Sequence, residues 1–110
     1  MRLKSIPYNK IVCLVGSTKF KSDFERVTFE LGKKGYIVLT VICFNHPDMV
    51  GLSEEEKDAA DELHFRKIEL ADEIYVINPG GYIGESSKNE INHAKSFGKV
   101  INYMVNIDGK

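Results

Sequence analysis

At 110 residues the chain accommodates one domain, 1–110, with a single core. Its 43% hydrophobic and 28% charged content is ordinary for a globular protein, and a net charge of -1 without a basic block argues against a nucleic-acid polymer as partner. No apolar run approaches the ~20 residues that span a bilayer, and the opening Met1-Arg2-Leu3-Lys4-Ser5-Ile6-Pro7 lacks the apolar core of a signal peptide. A cytoplasmic location is expected. Cys13 and Cys43 both sit in apolar runs without metal-ligand spacing, which fits reduced core thiols.

Residues 10–15 (Lys-Ile-Val-Cys-Leu-Val) form a continuous apolar run, expected of a central parallel strand buried on both faces. Gly16-Ser17-Thr18-Lys19 breaks it. A first helix follows, with Phe20, Phe24, Val27 and Leu31 on one stripe and Gly35 as its stop. Residues 36–42 read as the second strand. The stretch 43–52, holding His46-Pro47-Asp48, is the longest irregular segment and a candidate lid or pocket wall.

Ser53 with Glu56 has capping-box spacing and opens a second helix that runs to about Ala71, with Ala60, His64, Ile68 and Ala71 on one face. The third strand is predicted at 73–77. After it come the loop Asn78-Pro79-Gly80-Gly81-Tyr82-Ile83-Gly84-Glu85-Ser86-Ser87, a third helix containing Glu90 and ended by Gly98, and a last strand at 100–105. The order β-α-β-α-β-α-β implies a three-layer α/β fold, Rossmann- or flavodoxin-like. Right-handed crossovers decide which face each helix covers, and with four strands the expected order of the mainly parallel sheet is 2-1-3-4, with helices on both faces.

That order puts the topological switch point between strands 1 and 3, where open α/β sheets bind ligands. The loops leaving those strands are the two richest in glycine and hydroxyl groups. Gly16 permits close backbone approach, Ser17 and Thr18 offer hydroxyls, and Lys19 offers a point charge. Opposite stand Gly80, Gly81, Gly84, Ser86 and Ser87 at a helix N-terminus, a place suited to phosphate or sugar hydroxyls. A tight strand-to-helix turn with an ordinary cap accounts for Gly16-Ser17 equally well. Neither loop is a Walker loop or a dinucleotide fingerprint, so ATP and NAD are not expected, nor any other cofactor.

Glu90, with Ala94 and Phe97 at i+4 and i+7, is expected on the inward face of the third helix. Two readings of it stay open. Ser87 and Glu90 fit a capping box, which needs no chemistry. Alternatively Glu90 is a nucleophile or electrostatic partner beneath an anomeric carbon. Glu85 is a second carboxylate, either ordering the loop or holding ribose hydroxyls. His64 reads as a core histidine or a site residue, and His46 and His93 as surface residues. The three histidines lack metal spacing. Tyr82 either flanks a base or covers the loop.

Val15-Gly16-Ser17-Thr18-Lys19, Leu70-Ala71-Asp72-Glu73-Ile74 and Gly84-Glu85-Ser86…Glu90-Ile91-x-x-Ala94 together resemble the nucleoside 2-deoxyribosyltransferase-like superfamily. This superfamily includes the deoxynucleoside 5′-monophosphate N-glycosidases. The resemblance runs from Ile11 to Met104 and implies cleavage or transfer of an N-glycosidic bond. It puts the catalytic glutamate at Glu90 and phosphate-binding serines at Ser17 and one of Ser86 or Ser87. Together with the residue-level reading of the crevice, the expected substrate contacts also include Gly16, Thr18, Lys19, Gly81, Tyr82, Gly84, Glu85 and His64, with a nucleoside or nucleotide as ligand and no metal. Homo-oligomers, dimers or larger, close the crevice of such proteins, here through helices 2 and 3. Pro79-Gly80-Gly81…Glu90 also resembles the motif of the lysine-decarboxylase-like phosphoribohydrolases, with one extra loop residue and Ser for Thr. Two positions depart from the better-known superfamily members: Cys13 stands for a tyrosine, and His64 and Asp61 lie where an aspartate is usual. A non-catalytic module that sequesters or senses a nucleotide in the same crevice is the alternative reading.

Overall fold

The computed structural model describes residues 9–41 and 53–106. The irregular stretch expected at 43–52, with His46 and Cys43, lies outside them. Seven main elements alternate: β1 (Ile11–Gly16), α1 (Lys21–Lys33), β2 (Ile37–Leu39), α2 (Glu54–Leu70), β3 (Glu73–Ile77), α3 (Glu85–Ser96) and β4 (Val100–Tyr103). All pairings are parallel, and the sheet order is β2-β1-β3-β4. This is the expected three-layer α/β arrangement.

Side-chain alternation along the strands divides the core in two. On one face Cys13, Val15, Ile74 and Val76 pack with Ile68 and Ala71 of the α2 end and with Ile91 and Ala94 of α3. On the other, Leu14 and Ile77 pack with Phe24 and Val27 of α1. Helices α2 and α3 thus share one layer and α1 forms the other, as right-handed crossovers in this strand order require. Val12 through Val15 are fully buried, so β1 is covered on both sides.

The helix ends follow local chemistry. Ser53 Oγ accepts from the Glu56 N–H at 3.0 Å, and Glu56 Oε1 accepts from the Ser53 N–H at 2.9 Å, completing the capping box of α2. Gly35 and Gly98 take positive φ of 97° and 70° just beyond α1 and α3. There the Tyr36 and Lys99 N–H groups reach back to the Leu31 and Ala94 carbonyls, closing Schellman turns.

Four boundaries differ from expectation. β2 has three residues rather than seven, because as an edge strand it pairs with β1 alone, over Ile37, Val38 and Leu39. β4 stops at Tyr103; beyond it the Met104 N–H bonds the Val76 carbonyl, and the buried Asn78 side chain grips both Val105 backbone groups at 2.8 and 2.9 Å. α3 begins at Glu85 with Gly84 as N-cap, earlier than the Ser87–Glu90 spacing suggests. Phe97 is the C-cap of α3 and 53% exposed rather than inward; Ile91 takes the inward place.

Candidate active site

The C-terminal ends of β1 and β3 diverge at the switch point and leave a cleft of about 400 Å³. Its walls come from three sources. Gly16, Ser17 and Thr18 follow β1, Ala60, Asp61 and His64 come from α2, and the segment from Tyr82 to Glu90 supplies the third wall. Gly16 is there for a steric reason: a Cβ at that position would stand 2.6 Å from the Ile77 carbonyl oxygen of the neighbouring strand. The absent side chain lets the two loops approach.

Between β3 and α3 the chain turns sharply. Gly80 and Gly81 hold φ of 65° and 84° in a short 3-10 turn, Pro79–Gly81, which only glycine takes without strain. The turn swings Tyr82 over the cleft mouth, 47% exposed, with the Lys19 Nζ 4.0 Å from its ring centroid and Phe20 edge-on at 5.9 Å. Gly84 then starts α3 without any side-chain cap, so its first-turn N–H groups have no side-chain acceptor. Ser86 and buried Ser87 stand in that first turn beside Glu85.

Glu90 lies in the second turn of α3, too deep to cap anything. The capping-box reading of Ser87 and Glu90 is therefore overturned: both are inside the helix. The Glu90 side chain is 16% exposed, and its Oε1 is 3.8 Å from His64 Nε2, whose side chain is 7% exposed. Burial, helped by the nearby Asp61 carboxylate, raises the Glu90 carboxyl from 4.5 to about 7. Burial, with the Lys67 ammonium second, lowers His64 from 6.5 to about 4. Cys13 Sγ is 4.0 Å from the same His64 nitrogen, and burial pushes its thiol up to about 12. The floor of the cleft thus holds a neutral imidazole and a carboxyl poised near neutrality, with the fully buried Cys13 thiol behind the imidazole.

No protein-family model matches this chain, and no curated protein is significantly similar to it.

Of the residues singled out in the sequence, Gly16, Ser17, Thr18, His64, Tyr82, Gly84, Glu85, Ser86, Ser87 and Glu90 all line the cleft. Lys19 and Gly81 do not. Lys19 spends its charge on the Tyr82 ring, and Gly81 shapes the turn behind it. Val41, Lys57 and Ala60 also line the cleft without having stood out in the sequence, and so does Asp61, which the sequence offers only beside His64 where the superfamily has an aspartate. The signal was available on α2: Lys57, Ala60 or Asp61, and His64 recur at helical spacing on one face. Among the described residues the lining carries the carboxyls of Asp61, Glu85 and Glu90 against the ammonium of Lys57. His93 is not a free surface residue. Its Nε2 meets Glu69 Oε2 at 2.7 Å, and its ring contacts Phe65 and Phe97 at 4.8 and 5.0 Å.

Among the described residues no group of three or more His, Cys, Asp or Glu is arranged to hold a metal ion. Nor is any helix there long and apolar enough to cross a membrane.

Proposed function

We propose that the chain cleaves or transfers the N-glycosidic bond of a nucleoside or nucleoside 5′-monophosphate, with Glu90 as the nucleophile. The observation that carries this reading is the Glu90 carboxyl itself. It is buried in a switch-point cleft, caps no helix and takes on charge only near pH 7. A functional site holds such a group at some cost to folding; a structural one has no reason to.

The reaction passes through an oxocarbenium-like transition state, which a carboxylate beside the anomeric carbon stabilises or captures. In this reading the sugar lies across Glu90. Its 5′ end points to Ser17, Ser86, Ser87 and the uncapped start of α3, where backbone N–H groups and the helix dipole favour an oxyanion. The base rests near Tyr82, whose second ring face is the candidate stacking surface opposite Lys19. The Val15–Lys19 and Gly84–Ala94 motifs support the same roles through the superfamily they resemble. Dimer or higher assembly through α2 and α3 belongs to this reading as well. Leu63 and Leu70 on α2 and Phe97 at the end of α3 are 44%, 72% and 53% exposed. Sedimentation at micromolar concentration tests it, and a monomer would contradict it.

The decisive experiment incubates the protein with a panel of nucleosides and their 5′-monophosphates and follows free base by reversed-phase chromatography. Time-dependent release from at least one compound is expected. One observation favours the second reading, a nucleotide-binding module: a Glu90 still largely protonated below pH 7 is also a good hydrogen-bond donor to a ligand. Saturable binding across the panel without release would establish that reading instead.

A further inference from the structure

The contact between His64 and Glu90 joins α2 to α3 across the floor of the cleft. Both side chains are largely buried, and the Nε2 to Oε1 separation is 3.8 Å. Besides Glu90, His64 Nε2 has only the Cys13 thiol, a weak partner at 4.0 Å, among the described residues, and the Leu14 backbone favours a proton on the ring. Chemistry asks opposite things of this floor. Attack on an anomeric carbon needs a carboxylate, whereas the departing base needs a proton.

Building on the glycosidase reading, we propose that His64 Nε2 accepts the carboxyl proton of Glu90 in the substrate-filled cleft and hands that proton to the departing base. In the first step the C1′–N bond breaks with its electron pair going to the base nitrogen. A Glu90 oxygen bonds to C1′, and the proton on His64 moves to the base. In the second, water attacks C1′, the C1′–O bond to Glu90 breaks with its pair returning to the carboxylate, and the water proton goes to His64. The proton that leaves with the base is replaced by the one the attacking water gives up, so the pair again holds one proton at the end of the cycle.

The groups around the pair are consistent with this circuit. From β1, Cys13 holds its own proton too tightly to compete as an acceptor at neutral pH. From α2, the Asp61 carboxylate disfavours ionised Glu90 in the empty site, while the Lys67 Nζ is bonded to the Thr40 carbonyl at 2.7 Å and lowers His64. Lys57 from α2 and Glu85 from α3 face the same cleft. The resting pair therefore holds one proton, on the carboxyl. A cationic sugar forming over Glu90 is what shifts that proton to the imidazole.

The test is the pH dependence of kcat/KM for base release between pH 5.5 and 9. If the one-proton pair is the working form, the parent loses activity above its midpoint, by about tenfold per pH unit. His64→Gln keeps a hydrogen-bonding amide but cannot carry the proton. Its weaker residual activity should rise with pH until Glu90 is ionised. A parent profile that rises through pH 7, parallel to that of His64→Gln, overturns the proposal. A readout independent of turnover is the carboxyl ¹³C titration of Glu90 in the ligand-free protein, assigned with Glu90→Gln. His64→Gln, or His64→Asn should the first variant fold poorly, should move the Glu90 midpoint by at least roughly half a pH unit. An unmoved midpoint refutes the pair. Should no compound release base, the transfer step falls together with the glycosidase reading, and the NMR midpoints alone decide the pairing.

Discussion

Removing the Glu90 charge should reveal how much folding stability this site gives up. In the folded chain the carboxyl holds its proton up to about pH 7, against 4.5 ordinarily, so the folded state binds that proton more tightly. Its favourable contribution is complete below pH 4.5 and is lost as pH climbs from 4.5 through 7. At about 1.36 kcal/mol per pH unit of displacement the loss is roughly 3 kcal/mol by pH 8. His64 works the other way, because it is lowered from 6.5 to about 4 and stability falls as pH drops through that range. Between pH 4.5 and 6.5 the folded pair holds one proton, on Glu90, and the unfolded pair holds one, on His64. Their slopes cancel in the parent. Glu90→Gln should therefore match the parent near pH 4 and be more stable by about 3 kcal/mol at pH 8. That corresponds to roughly 12 °C in Tm for a domain of this size. Its stability should rise with pH up to 6.5, a slope the parent lacks. Thermal denaturation of both proteins from pH 4 to 8 measures this. A difference that stays constant across the range would refute the assignment of Glu90 as the strained carboxyl.

Gly16→Ala places a Cβ against the Ile77 backbone oxygen, where 2.6 Å leaves no room for the flanking strands to yield. We expect a loss of at least about 2 kcal/mol by urea denaturation, and a loss under about 0.5 kcal/mol would contradict the close approach of the two loops. Asn78→Ala removes both clasps on Val105 and leaves that backbone unsatisfied, so a cost of about 2–3 kcal/mol is expected, with early opening of the amides after β4 in hydrogen exchange. If the 5′ end of the ligand meets the start of α3, monophosphates should raise Tm more than the matching nucleosides, a difference that added salt should diminish. Equal shifts for the two ligand types would take the phosphate out of the account.

Much of the fold was readable because its signals are local and redundant. The bounds of β3 and the capping box of α2 appear where the residues put them, and Gly35 and Gly98 end their helices as left-handed caps. Given the strand order, handedness fixes the face that each helix covers. The errors share a physical cause: they fall where tertiary context outweighs a local pattern. Edge position shortens β2 and β4. A glycine N-cap at Gly84 offers no side-chain signal, so Ser87 with Glu90 imitates a capping box three residues past the true helix start. Apolar spacing foretold that His64 is buried but not that its partner is Glu90, since the two meet only when α2 and α3 pack side by side. Its place in the Gly16–Lys19 loop presents Lys19 as a charge facing the ligand, and nothing local to it reveals the Tyr82 ring that the glycine turn brings above it.

Whether Glu90 performs chemistry rather than support is decided by comparing parent and Glu90→Gln on a nucleoside or monophosphate that the parent demonstrably cleaves, with ligand affinity measured alongside by calorimetry. Turnover should fall by about a thousandfold or more, while the variant stays folded and binds the compound within a few-fold of the parent. Near-parent turnover in the folded, ligand-binding variant would contradict the chemical role.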